Sequence, residues 1–182
     1  MELTKSLQAQ KILKYIIITF IGSILLTISA KIQIPFYPVP MTMQTFMVIF
    51  IGIAFGWKLG LATVILYLSE GAIGLPVFAG TPEKGIGIAY MVSTTGGYLV
   101  GFLVAVFFAG FVNLEKNIFR NFFLISFAVS TIYLFGLPWL AYLKGWEIAY
   151  VYGFKQVILS DILKIGLITV ISKQTLKIRN FI

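Results

Sequence analysis

Long apolar stretches separated by short loops constrain this chain more than any other feature of its sequence. The first is typical, because residues 15–30 include no charged side chain. About 20 consecutive apolar residues are needed for a helix to cross the hydrocarbon core of a bilayer. Only 11% of the 182 residues are charged, whereas a soluble domain has about 25%. The stretches therefore predict a membrane protein, and the chain is long enough for about six spans.

The predicted spans cover, to within a few residues, 12–30, 42–55, 59–73, 95–112, 122–143 and 154–173. Prolines at positions 35, 38 and 40 end the first span, because proline cannot continue a helix. Residues 74–92 form a long, glycine-rich and only partly polar segment, which predicts a loop that covers a pocket. The expected fold class is an all-α membrane protein, with six transmembrane helices in one domain over residues 1–182.

The distribution of basic residues predicts the orientation of these helices. With the N-terminus inside, nine basic residues face the cytoplasm: Lys5, Lys11, Lys14, Lys58, Lys116, Arg120, Lys173, Lys177 and Arg179. Four face outward: Lys31, Lys84, Lys144 and Lys155. Because cytoplasmic loops carry the excess of Lys and Arg, both termini are expected in the cytoplasm. The loop after span one and the loop after span three then face outward.

Asp161 and Lys164 lie inside the sixth span, where charge is expensive. Three residues apart on a helix, their side chains share one face. A charge at the bilayer centre costs roughly 2.5–3.5 kcal/mol, so an intramembrane pair marks a functional site by default. The alternative is a self-neutralising pair that only fixes helix packing. Asp161 is expected roughly 10 Å below the outer surface, at the wall of a cavity that opens outward beneath the two loops.

Other residues have two interpretations each. Thr42 and Gln44 either cap the second span or face the cavity, and the loop aromatics Phe36, Phe78 and Tyr90 either form an interfacial belt or line an apolar pocket. Small residues in span four indicate close helix packing, and Glu70 is interpreted as an interfacial carboxylate rather than a ligand-binding group. Ser23 and Thr27 in span one either pack internally or present a docking face.

Several kinds of chemistry have no candidate residues in this sequence. It contains no Cys and no His, which removes thiolate and imidazole metal ligands and histidine proton relays. No Gly-Lys dipeptide occurs, so the chain has no phosphate-binding P-loop. Asp161 is the only acid deep inside a predicted span, which leaves no carboxylate pair for catalysis. We therefore expect no catalytic residue, no metal site and no cofactor.

Four segments of the sequence form a recognisable series: PVPMTMQT at 38–45, GAIGLPVFAG at 71–80, TGGYLVGF at 95–102 and DILK at 161–164. In this order and spacing they resemble the BioY family of biotin-binding S components of energy-coupling factor (ECF) transporters. The chain departs from the family's usual pattern at Ser93, Thr94, Gln156, Leu159 and Ser160, and in the more charged residues 81–84.

The resemblance implies a multi-pass protein of the bacterial cytoplasmic membrane with an outward-facing biotin site. Asp161 would accept from the ureido N–H groups, and Lys164 would donate to the ureido carbonyl or neutralise the carboxylate. The remaining candidate binding residues are Gln44, Thr42, Tyr90, Phe78 and the backbone of Gly80.

The resemblance also implies partners, namely a transmembrane coupling subunit and two ATPase subunits. The S component would topple in the membrane to release biotin inside, and Ser23 and Thr27 would dock the coupling subunit. Three alternatives stay open: an S component for another vitamin or small metabolite, an intramembrane enzyme that uses Asp161 as a base, and a scaffold subunit without a ligand.

Overall fold

The structure is a computed structural model that describes residues 2–112 and 117–182. It is predominantly helical, with one two-stranded antiparallel ribbon that pairs Gln33 with Thr42 and Ile34 with Met41. A π-helical stretch, Ala149–Lys155, precedes the last helix. The elements are α1 Glu2–Lys31, β1 Gln33–Ile34, β2 Met41–Thr42, α2 Gln44–Ala72, α3 Gly87–Met91, α4 Gly96–Ala109, α5 Ile118–Lys144, α6 Trp146–Ile148 and α7 Ile158–Phe181.

Three helices of the described chain are long and apolar enough to cross a membrane. They are the Gln8–Lys31 part of α1, the whole of α2, and α5. Helix α1 exposes a stripe of large apolar side chains that includes Ile17, Phe20 and Ile24. Such a stripe would be unfavourable in water, whereas lipid tails are as apolar as the side chains themselves. The membrane class predicted from composition is therefore supported by the exposed surface.

Helix α2 is folded back on itself at Gly56. This glycine has φ 75° and ψ 170° inside the Gln44–Ala72 helix, a backbone conformation that L side chains rarely adopt. The side chains of Gln44 and Tyr67 hydrogen-bond at 2.7 Å, although 23 residues of straight helix would separate them by about 35 Å. The two arms, 44–55 and 57–72, are thus antiparallel neighbours, and they correspond to the separate second and third spans that the sequence predicts.

Small residues bring helix backbones together at two crossings. A Cβ added to Gly97 would lie 2.4 Å from Trp139 Cβ, and one added to Gly101 would lie 2.7 Å from Ile132 Cα, so α4 packs closely against α5. Gly52 meets Ala109 of α4 in the same way. The predicted packing role of the small residues in span four is confirmed, because no larger side chain fits at these contacts.

Basic side chains of α1 and α7 gather at one end of the helical bundle, beside the turn of α2. Lys14 Nζ of α1 donates to the Phe181 carbonyl at 2.6 Å, and Arg179 lies beside Gly56. The N-terminal part of α1, the turn of α2 and the end of α7 therefore share one end, as the orientation rule requires. Of the other predicted cytoplasmic residues, Lys116 and the side chains of Lys5 and Lys173 lie outside the described residues.

Candidate ligand-binding site

A small cavity lies at the opposite end of the bundle, among α2, α4, α5 and α7. Its volume is about 60 Å³, below the 300–1,000 Å³ typical of sites for drug-sized ligands. A ligand of that size therefore requires the walls to move apart. The lining side chains and backbone belong to Val39, Pro40, Met41, Thr42, Gln44, Thr45, Ala79, Tyr90, Thr95, Tyr98, Leu99, Phe102, Ile132, Tyr133, Val157, Asp161 and Lys164.

The charged wall of the cavity is the Asp161–Lys164 pair on the first turns of α7. Lys164 Nζ lies 2.7 Å from Asp161 Oδ1, and the residues are only 5% and 8% exposed. Burying two charges costs several kcal/mol per ion unless they are paired and their other hydrogen-bonding atoms are satisfied. The predicted pairing on one helix face is confirmed, and the two charges have been withdrawn from both water and lipid.

Two neighbours complete the hydrogen bonding of this pair. The Tyr133 hydroxyl, from α5, donates to Asp161 Oδ2 at 2.5 Å, and Lys164 Nζ donates to the Thr42 carbonyl at 2.7 Å. Both carboxylate oxygens therefore have a donor. An ammonium group has three N–H donors, of which these contacts use two. The third donor and the free lone pairs of the carboxylate are what the wall can offer to a ligand.

A second polar group lies where α2 begins. Gln44 Nε2 donates to the Tyr67 hydroxyl at 2.7 Å, and that hydroxyl donates to the Val77 carbonyl at 3.2 Å. The Thr42 hydroxyl accepts from the Gln44 backbone N–H at 3.2 Å. Thr42 thus combines the two roles that the sequence left as alternatives: its hydroxyl holds the first backbone donor of α2, and its carbonyl faces the cavity.

The loop between α2 and α4 closes the cavity with aromatic rings. Tyr90 lines it and donates to the Ala79 carbonyl at 2.8 Å. Burial raises the pKa of the Tyr90 hydroxyl, an effect only partly opposed by a hydrogen bond with Thr95, so the phenol stays protonated. Phe78 is fully buried and stacks behind Tyr90 with ring centroids 4.9 Å apart. Gly71 makes room for it, because an added Cβ would lie 1.9 Å from the Phe78 ring.

The closing segments are held mainly through their backbone carbonyls. Lys31 Nζ donates to the carbonyls of Phe78 and Thr81, each at 3.0 Å. The Thr94 hydroxyl donates to the Pro38 carbonyl at 3.0 Å, which joins the two closing segments to each other. Trp139 Nε1 of α5 donates to the Ser93 carbonyl at 2.8 Å. We call these hydrogen bonds, together with those of Tyr67, Tyr90 and Lys164 to loop carbonyls, the carbonyl anchors.

Five of the predicted binding residues line one cavity: Asp161, Lys164, Gln44, Thr42 and Tyr90. The other two lie behind it. Phe78 supports Tyr90, and Gly80 turns the chain with φ 73°. The structure adds residues that the sequence analysis did not select, chiefly the tyrosines Tyr98 and Tyr133 and the apolar Phe102, Ile132 and Val157. Tyr98 and Phe102 belong to the 95–102 segment that carries the family resemblance, although no role was assigned to them. Nothing in the local sequence of Ile132, Tyr133 or Val157 distinguishes them from ordinary core positions.

The small residues of span one do not form an exposed pair. Ser23 is 1% exposed, and its hydroxyl donates to the Glu70 carboxylate. A Cβ added to the neighbouring Gly22 would lie 2.6 Å from Thr63 of α2. Of the two alternatives that the sequence left open for Ser23, its placement favours internal packing against α2. Thr27 is half-buried, and Glu70 is half-buried rather than freely solvated.

Comparisons with known proteins agree with one another. The model of the BioY family matches residues 3–181. A protein of Pyrococcus horikoshii named "Probable biotin transporter BioY" is 37% identical over 151 residues, which are 82% of this chain and 88% of that protein. A protein of the same name from Lysinibacillus sphaericus is 30% identical over 85% of this chain and 82% of its own length.

One solved structure has the same fold. It is described as the S-component for biotin from an ECF-type ABC transporter. It superposes with a TM-score of 0.78, covers 92% of this chain and 93% of its own, and is 24% identical in sequence. The fold is thus that of an S component, whereas identity at this level transfers no ligand contacts.

Proposed function

The chain belongs to the BioY family, and we propose that it captures biotin as the substrate-binding S component of an ECF-type transporter. Its relatives are named as transporters, and its role is transport rather than catalysis. The observation that carries the proposal is the enclosed Asp161–Lys164 pair, which Tyr133 and the Thr42 carbonyl hold in position at a cavity wall.

The chemistry of this wall suits a cyclic urea. A ureido group offers two N–H donors and one strong carbonyl acceptor, and the wall offers a carboxylate and an ammonium group. Asp161 accepts from an N–H group, and Lys164 donates its third N–H to the carbonyl or to the ligand's carboxylate. Phe102 and Ile132 provide apolar surface for the bicyclic ring, while Gln44 and Tyr90 are suited to the opposite polar end of the ligand.

We propose a topology of six spans with both termini in the cytoplasm. The six helical arms are α1, the two arms of α2, α4, α5 and α7. Support comes from the clustering of Lys14, Lys58 and Arg179 at one end, opposite to the cavity. By the positive-inside rule that end is cytoplasmic, so the cavity opens outward. The protein is then a multi-pass component of the cytoplasmic membrane.

Partners are part of this proposal. The sequence contains no P-loop. In an ECF-type transporter, the energy for uptake would come from ATPase subunits joined to this chain through a transmembrane coupling subunit. With Ser23 buried against Glu70, a docking face on α1 would have to use other residues. Thr27 and the exposed apolar stripe of α1 are the surfaces that remain.

Calorimetric titration of the purified full chain with biotin tests the proposed ligand. We expect tight binding of biotin and none of thiamine or riboflavin at equal concentrations, since neither carries a ring urea with an N–H group on both sides of its carbonyl. Nanomolar affinity would correspond to about 12 kcal/mol. Preference for another vitamin would overturn biotin and keep the transport class, and the absence of any ligand would favour a scaffold.

The Lys164→Ala variant tests the site itself. Loss of one charge-assisted hydrogen bond weakens binding by about 1.5–3 kcal/mol, or roughly 10- to 150-fold. The matched control is Lys144→Ala, which removes an exposed lysine from the same end of the bundle and should leave the dissociation constant unchanged. Equal affinity for biotin in the wild type and in Lys164→Ala would assign the pair a purely structural role.

A further inference from the structure

A second site lies at the basic end of the bundle, far from the cavity. Here the turn of α2, the N-terminal half of α1 and the end of α7 enclose a concavity of about 430 Å³, which we call the basic pocket. It contains two cationic side chains, Lys58 and Arg179, and three aromatic ones. The lining residues are Tyr15, Phe55, Gly56, Trp57, Lys58, Leu59, Arg179 and Ile182.

The charges in the basic pocket are not neutralised within the described part of the chain. The only ion pair among the described residues is Asp161–Lys164, at the opposite end of the molecule. Arg179 lies directly beside the turn, where a Cβ added to Gly56 would be in van der Waals contact with its guanidinium, 3.4 Å from Nη2. Lys58 lies over the Trp57 ring, 5.3 Å from its centroid. A guanidinium held beside an ammonium group is suited to bind phosphate oxygens.

An apolar groove continues from the basic pocket along the side of the bundle. It has a volume of about 570 Å³, lies between α1 and the end of α7, and shares Phe55 and Ile182 with the basic pocket. Its walls are mostly aliphatic and aromatic: Leu13, Ile17, Ile18, Ile21, Ile178 and Phe181. Lys14 stands at its edge, 4.8 Å from the centroid of the Phe181 ring. A cationic pocket that opens directly into an apolar groove matches an anionic headgroup joined to an acyl chain.

We propose that the basic pocket and the apolar groove bind one anionic phospholipid of the leaflet at that end. The phosphodiester contacts Arg179 and Lys58, Tyr15 and Trp57 lie at the level of the headgroup, and an acyl chain follows the groove beside Ile17. Basic pockets between transmembrane helices on the cytoplasmic side are known to select such headgroups, and aromatic side chains favour the membrane interface. The site clamps the α2 turn to both α1 and α7.

Native mass spectrometry of the full chain in detergent tests the site. The protein is titrated with phosphatidylglycerol or with phosphatidylcholine of the same acyl chains, and the fraction carrying one lipid is counted. We expect phosphatidylglycerol to bind preferentially. In Lys58→Gln/Arg179→Gln that preference should fall by about 25-fold, at about fivefold for each charge removed. Inorganic phosphate and glycerophosphoglycerol, which lack acyl chains, should not compete at equal concentration.

Matched variants distinguish a site from a diffuse basic surface. Lys177→Gln removes one charge from an exposed position on the same helix without lining the pocket, and Lys144→Gln does so at the opposite end. Both should keep the preference for phosphatidylglycerol. Arg179→Lys keeps the positive charge but loses the planar guanidinium that can bind two phosphate oxygens at once, so its preference should be intermediate. Thermal unfolding in detergent verifies that each variant is folded.

Four results would overturn the proposal. Equal binding of the two lipids would remove the charge selectivity. Equal losses in Lys177→Gln and Arg179→Gln would assign the effect to the general surface potential. Full competition by inorganic phosphate would leave an ion site without a lipid. If Lys58→Gln/Arg179→Gln bound lipid as the wild type does but no longer assembled onto a coupling subunit, the surface would be reassigned to a protein partner.

Discussion

Helices α5 and α7 supply the charged side of the cavity, whereas residues 37–42 and 77–95 supply the side that covers it. On the helix side, the polar contact is a short, charge-assisted network among Asp161, Lys164 and Tyr133. On the loop side, aromatic rings provide the shape, and the carbonyl anchors hold the chain. Charge is therefore fixed by rigid elements, while the parts that must move to admit a ligand carry no formal charge into the cavity.

The difference follows from the cost of burying charge. An ammonium group that loses its partner inside a protein is destabilising by several kcal/mol, so a charged pair on a moving loop would resist each opening. A neutral loop carbonyl that loses one donor costs about 1–3 kcal/mol, and less when water replaces it. Mutations on the helix side should consequently change mainly the free energy of unfolding. Mutations on the loop side should change mainly the rates of ligand binding and release.

Asp161→Ala should have the largest effect, because it leaves Lys164 buried without its counter-ion. We expect the free energy of unfolding to fall by about 3–5 kcal/mol, measured by titration of micelles with sodium dodecyl sulfate, and biotin binding to be lost. The control is Asp161→Ala/Lys164→Met, which removes both charges and should recover part of the stability. A double variant less stable than the single one would show that the pair does not account for the loss.

Tyr133→Phe should have the second largest effect. It removes the donor to Asp161 Oδ2 and nothing else, so we expect the free energy of unfolding to fall by about 1.5–3 kcal/mol, as for other hydrogen bonds to charged groups. Tyr98→Phe is the matched control, because the Tyr98 hydroxyl donates to the uncharged Gly153 carbonyl and should cost only about 0.5–1.5 kcal/mol. Equal losses would remove the distinction between charged and neutral contacts.

Lys31→Met tests the loop side. Without the bonds to the Phe78 and Thr81 carbonyls, we expect biotin to dissociate about 3- to 10-fold faster with an almost unchanged association rate, since most affinity differences between related complexes lie in dissociation. Stopped-flow displacement of bound biotin measures both rates. The control is Lys144→Met, an exposed lysine at the same end. A slower association alone would indicate that Lys31 guides the ligand rather than holding the loop.

Thr42→Val should have the smallest effect. The Lys164 ammonium contacts the Thr42 carbonyl, which the substitution keeps, and the hydroxyl makes only weak bonds of 3.2–3.3 Å. We expect biotin affinity to change by less than about 1 kcal/mol, as measured by calorimetry. A larger loss would mean that the hydroxyl itself contacts the ligand, and the loop side would then carry specific polar recognition.

Sequence reasoning reached the features that depend on local geometry. Spacing of three residues on a helix put Asp161 and Lys164 on one face, and their ion pair is confirmed. The prolines at 35, 38 and 40 predicted the end of the first span, and the predicted bounds of spans two and three fall on either side of the turn at Gly56. Predicted features of this kind need only the helical period, the length of a span and the residues that cannot continue a helix.

The residue pairs that meet between neighbouring helices were not predicted. Tyr133 meets Asp161 only because α5 and α7 are neighbours, and no pattern within α5 distinguishes it from other core residues. Ser23 and Thr27 share a spacing, yet their pattern did not indicate whether that face meets α2 or lipid; the structure buries Ser23 against Glu70. Thr42 lines the cavity as predicted, but the atom that contacts Lys164 belongs to its backbone.

The carbonyl anchors have a consequence for how this scaffold can diversify. A backbone carbonyl is present whatever side chain its residue carries. The carbonyl anchors therefore do not depend on which residue supplies the carbonyl, and they accept at positions 38, 42, 77, 78, 79, 81 and 93. Residues such as Ala79, whose backbone is anchored and which lines the cavity, can be exchanged while the loop keeps its path. Mutational drift, or a designed library at these positions, can therefore reshape ligand preference without a matching loss of loop architecture.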